Sequence, residues 1–65
     1  MARMSNRYLF KKTIENETGR KVIDLNYLGY CEGLGDVFSV EYARGDEEQW
    51  CCYRVNDEFA ECFQF

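Results

Sequence analysis

Arg7-Tyr8-Leu9-Phe10-Lys11-Lys12-Thr13-Ile14-Glu15, RYLFKKTIE, runs into Asn16-Glu17-Thr18-Gly19, NETG, and then into RKVIDLNYLGY. A glycine that ends a short polar run between two apolar-bearing segments suits a hairpin loop, because glycine takes the left-handed conformations of tight turns at no steric cost. On this reading the chain opens with two antiparallel strands, near residues 7–15 and 21–30, and the rest of the fold builds on that pair.

In the second of these strands Ile23, Leu25 and Tyr27 alternate with Asp24 and Asn26, the period of two that sets one face on a core and one in water. Cys31-Glu32-Gly33-Leu34-Gly35-Asp36 carries two glycines and reads as a turn. Phe38, Val40 and Tyr42 then alternate with Ser39 and Glu41 in a third strand near 37–44. Arg44-Gly45-Asp46-Glu47-Glu48 is the next turn, and a fourth strand lies near 49–55 within Glu47–Val55, EEQWCCYRV.

The tail, NDEFAECFQF, has two readings. A helix capped by Asn56 or Asp57 sets Phe59, Cys62 and Phe63 on one stripe. A strand sets Phe59, Glu61, Phe63 and Phe65 on one face and buries a carboxylate with no evident partner, so the helix is preferred. The expected fold class is α+β: a four-stranded antiparallel meander with a short C-terminal helix, the alternative being an all-β five-stranded small barrel.

At 65 residues the chain makes a single small domain, 1–65, with 1–6 expected as a flexible N-terminal arm and a core near the lower limit of independent stability. Hydrophobic residues at 46% and aromatics at 17% exceed what a disordered tail carries. No apolar run approaches the roughly 20 residues that cross a bilayer, and MARMSNRYLFKK lacks the apolar middle of a secretory signal. The expected compartment is the cytoplasm, where thiols stay reduced, with no membrane partner.

Charge is unevenly distributed along the chain. Residues 1–21 hold six cations against two carboxylates, whereas 22–65 hold two cations against ten carboxylates. Unless sheet pairing lays the basic segment beside an acidic one, this asymmetry can steer a charged partner.

Four cysteines, Cys31, Cys51, Cys52 and Cys62, and no histidine limit the metal chemistry. Without a CxxC knuckle a zinc site is not expected, and neither is any other cofactor. Consecutive residues in a strand face opposite ways, so Cys51 and Cys52 do not form one functional pair. Cys51, sharing a face with Tyr53 and Val55, is read as the core side, and Cys52, beside Trp50 and Arg54, as a partly covered surface patch. All four thiols are expected to be reduced.

Other motifs carry little weight. Arg44-Gly45-Asp46 resembles the integrin-binding tripeptide, but Gly-Asp is ordinary turn chemistry. Asn16-Glu17-Thr18 matches a glycosylation acceptor, which matters only in a secretory pathway. GLGD lacks the spacing and the lysine of a phosphate loop, and no catalytic base or nucleophile stands out, so catalysis is not expected.

Recognition is the function left. Asp46, Glu47 and Glu48 precede Trp50, with Glu41 and Tyr42 across the expected hairpin and Asp36 in the adjoining turn. An aromatic ring among charges has the composition of an interface anchor, with the core as the competing place for Trp50. In composition this very small acidic chain is similar to the host-takeover and anti-defence inhibitors carried by phages and other mobile elements; the similarity covers no motif and carries over no residue role. It implies a small non-enzymatic inhibitor whose carboxylates mimic phosphates on a larger protein with a basic surface, such as a nucleic-acid-handling complex. Two alternatives are a nucleic-acid-binding module using Arg7, Tyr8, Phe10, Lys11 and Lys12 on the first hairpin, and a small structural zinc or thiol protein.

Overall fold

RYLFKKTIE is helical. The computed structural model describes residues 6–65 of the chain, and in it Asn6–Thr18 form an α-helix, α1, whose buried residues are Leu9, Phe10 and Ile14. In a strand Leu9 and Phe10 would point to opposite faces, but at about 100° per residue they and Ile14 share one helical stripe. Gly19, at φ 68°, ends the helix, and its N–H donates to the Glu15 carbonyl at 2.8 Å. The glycine is therefore a helix C-cap, which needs the same left-handed backbone as a hairpin turn. Asn6, expected in the flexible arm, begins α1; residues 1–5 of that arm lie outside the described residues.

Four strands follow: β1 (Val22–Cys31), β2 (Gly35–Tyr42), β3 (Glu47–Asn56) and β4 (Phe59–Gln64). They pair antiparallel in the order β1-β2-β3-β4, an open meander rather than a closed barrel. The sheet has four antiparallel strands as expected, but not the expected four: the first expected strand, 7–15, is the helix, and the expected C-terminal helix is the fourth strand. The tail is extended because only Ala60 and Cys62 turn inward, while Phe59, Glu61 and Phe63 lie outward and exposed. The carboxylate that argued against a strand is on the solvent side, where Glu61 accepts a 2.6 Å hydrogen bond from the Tyr53 hydroxyl.

α1 lies over one face of the sheet, nearest to β4 and then to β1 and β3. Beneath it are Val22, Leu25, Phe38, Val40, Tyr42, Trp50, Cys52, Ala60 and Cys62. Phe10 meets Phe38 edge-on at 5.7 Å between ring centres. The molecule is a plate of 31 × 30 × 17 Å. Covering one face of the sheet with a single helix leaves the other without a second layer among the described residues. Gly35 sets the closeness of β2 and β3: a Cβ there would stand 2.6 Å from the Cys52 carbonyl oxygen, and its φ of 113° disfavours any other residue.

The adjacent cysteines take the reverse of their expected places. Cys52 faces the helix with Trp50, and Cys51 is on the outer face, yet both are fully buried. Cys52 and Cys62 are directly opposed in register, with Cα atoms 4.1 Å apart, and form a disulfide across β3 and β4. The expectation of four reduced thiols fails here, and its cause is the misread tail: only a β4 strand brings residue 62 beside residue 52. Cys31 and Cys51 remain free thiols.

Candidate functional site

Of the residues expected to bind a partner, four come together as an internal network. The β2–β3 hairpin turns at Gly45 and Asp46 as expected, with the Gly45 N–H donating to the Tyr42 carbonyl at 2.9 Å. Trp50 Nε1 donates to the Tyr42 hydroxyl at 3.0 Å, and that hydroxyl donates to Glu48 Oε1 at 2.7 Å. Arg20, just past the α1 cap, lies 3.7 Å over the Tyr42 ring, pairs with Asp46, and stands 3.7 Å from Glu48. Tyr42 and Trp50 are thus core residues, and Asp46 and Glu48 are partnered within the chain. Burial, and then the bond to Glu48, push the Tyr42 phenol up to about 12. The hydrogen bond from Arg20 holds the Asp46 carboxyl below the ordinary carboxylate range.

Arg20 is the member of this network that the sequence does not single out. Its signal was the basic segment before β1, which here lies partly beside acidic strands: Arg20 on Asp46 and Glu48, and Arg7 4.0 Å from Asp24.

The remaining expected residues fall at opposite ends of β2. Asp36, near the β1–β2 turn, accepts from the Tyr27 hydroxyl at 3.2 Å. It lines an open groove of about 600 Å³ with Phe10, Tyr30, Leu34, Tyr53 and Arg54. Both charged groups of the groove are occupied within the chain, since Arg54 donates to Asn6 and pairs with Asp57. Glu41 and Glu47 stand at the other end of β2, directly opposed in register.

With Asp24 opposite Glu41 on β1, these two complete a row of three carboxylates across β1, β2 and β3 on the outer face. Like charges directly opposed across strands are unfavourable, and no cation pairs with Glu41 or Glu47 among the described residues. Next along the outer face the register sets Ser39 beside Gln49, then Val37 beside Cys51 and Phe63, then Tyr53 beside Glu61. Tyr53 and Phe63 meet edge-on at 6.4 Å, with Tyr53 41% and Phe63 38% exposed. Burial, and then neighbouring Cys31, push the Cys51 thiol up, which makes it an inert packing group here. The outer face is therefore acidic at one end and aromatic at the other.

No family model, curated protein or solved structure matches this chain. The geometry alone carries the functional reading. Among the described residues no helix is long and apolar enough to cross a membrane, and no three metal-ligating side chains are clustered.

On α1 the expected nucleic-acid residues are dispersed. Phe10 is in the core, Arg7 donates to the Leu25 carbonyl, and Tyr8 and Lys12 are exposed with Lys11 half-buried between them.

Proposed function

We propose that this protein is a small, non-enzymatic cytoplasmic binding module that docks its outer sheet face on a basic surface of a larger protein. The observation that supports this reading is the row Asp24–Glu41–Glu47, three carboxylates in register on adjacent strands and on the same sheet face as the aromatic pair Tyr53–Phe63. Neighbouring strands lie about 4.8 Å apart, so Glu41 and Glu47 offer two close anions on a rigid backbone, with Asp24 beside them near Arg7. Lysines or arginines that otherwise hold phosphates suit such a row, and the rings supply apolar contact area at low entropic loss. The partner class that fits is a nucleic-acid-handling protein, with the module acting as an inhibitor that fills its anion-binding groove.

The test is affinity capture from the native host's lysate, followed by binding kinetics on the protein retained. Exposed ion pairs each contribute about 0.2 to 1 kcal/mol, so the effect must be read on several at once. The double substitution Glu41→Gln with Glu47→Gln should leave the melting temperature nearly unchanged while slowing association and flattening its salt dependence. The same partner bound at the same rate and with the same salt dependence would remove the acidic row from the function. A labelled single-stranded oligonucleotide should not bind at low salt; tight binding there would favour the basic side of α1 instead.

A further inference from the structure

The two free edges of the sheet are finished differently. β1 is interrupted by bulges between Val22 and Asp24 and between Tyr27 and Gly29. Between them the Leu25 N–H donates to Asp24 Oδ1 at 3.0 Å, and the Leu25 carbonyl accepts from Arg7. Bulges and side-chain caps of this kind prevent an edge from pairing with another chain.

β4 has neither device. Its register with β3 runs unbroken from Ala60 to Gln64. The Cys52–Cys62 pair, with Cα atoms 4.1 Å apart, is a non-hydrogen-bonded pair, and the Phe65 N–H donates inward to the Gln49 carbonyl at 2.8 Å. The N–H and C=O groups of Ala60, Cys62 and Gln64 therefore point outward, and no partner among the described residues reaches them. An open groove of about 400 Å³, lined in part by Tyr8, Lys12, Glu58 and Phe59, separates α1 from the start of β4.

We infer that β4 pairs with β4 of a second copy of this chain, antiparallel about a two-fold axis at Cys62, joining two sheets into one of eight strands. The sequence FAECFQF is self-complementary in that register. Cys62 lies opposite its own counterpart, Ala60 opposite Gln64, Glu61 opposite Phe63, and Phe59 opposite Phe65. Glu61 is the one charge on β4, and this register sets it against a phenylalanine instead of another carboxylate. Tyr53 also draws its carboxylate back over β3, away from the edge. Phe59, Phe63 and Phe65, 51%, 38% and 61% exposed, are the large apolar side chains the pairing would cover.

The experiment is sedimentation equilibrium of the oxidised chain over a dilution series, with the melting curve of each variant as the control for folding. The native chain should show a monomer–dimer equilibrium, and a monomer at every concentration would overturn the proposal. Gln64→Pro removes an outward N–H and none of the bonds to β3, so it should abolish the dimer and keep the fold. Phe63→Glu sets two carboxylates against Glu61 and its counterpart and should weaken the dimer at least about tenfold, whereas Phe63→Lys makes two opposite-charge pairs and should preserve it. A dimer unaffected by Gln64→Pro, or one that responds alike to Glu and Lys at residue 63, is built on another surface and overturns the assignment.

Discussion

The two faces of the sheet differ most sharply at the adjacent residues Cys51 and Cys52. Cys52 is under α1, bonded to Cys62 and packed with Trp50, Phe38 and Ala60. Cys51 is equally buried, but on a face without a second layer, beside Val37 and Phe63. Burial alone therefore does not mark the structural side of this molecule. What separates the faces is the helix: one face is a core closed by α1, while the other keeps its rings half-exposed and, among the described residues, pairs no cation with Glu41 or Glu47. The closed face is expected to carry stability and the open face to carry binding.

That division is broken most directly by truncating one ring on each side. Phe10→Ala opens a hole between α1 and the sheet and should destabilise by about 3 to 5 kcal/mol, comparable to the whole stability of so small a domain. Phe63→Ala on the outer face should change it by less than about 1 kcal/mol. Denaturant titration of both variants decides, and equal losses would mean that the outer face is also core.

Reducing the Cys52–Cys62 bond sharpens the comparison from the inside. It releases a short loop, the cysteines being 10 positions apart, and leaves both thiols buried. A loop of that size corresponds to about 2 to 3 kcal/mol in the chain-entropy account. The reduced protein should melt lower, and an unchanged melting temperature would show that the bond adds nothing to the closed face.

A further expected effect is in alkali. The Tyr42 phenol, at about 12 when folded against an ordinary 10.0, favours the folded state only while it is protonated. Its contribution is complete below pH 10, is lost as pH rises toward 12, and is on the order of 2 kcal/mol. Tyr42→Phe should flatten this alkaline limb of a stability-versus-pH curve. The same fall with pH in the variant would assign the limb to another group.

How far the sequence discloses this arrangement follows from where each signal resides. The β2–β3 hairpin is legible because its information is local: Phe38, Val40 and Tyr42 alternate, and Gly45-Asp46 makes the turn between paired strands. α1 is obscured because its charges oppose a helix dipole, with no acidic residue in the first turn and no basic residue in the last. Its clearest mark, Gly19, serves a hairpin equally well. The tail is misread because the partner of Glu61 is Tyr53, on another strand, and no local pattern reveals it. The disulfide and the Arg20 network are hidden for the same reason, since both rest on pairings that exist only once α1 and β4 are placed. The candidate site is half legible: Glu41 and Glu47 stay together on the open face, while Tyr42, Asp46, Glu48 and Trp50 are drawn into the network around Arg20.

The position of Trp50 gives the molecule an optical property. The single indole is 5% exposed, on the same sheet face as Cys52 and two residues from it. A disulfide so near an indole quenches its emission by accepting an electron from the excited ring, while exposure of the ring to water moves the emission to longer wavelength. Opening the cross-strand bond therefore changes the brightness of the protein, and loosening α1 changes its colour. One chromophore thus reports the state of the thiols and the state of the fold as separate signals, without a label.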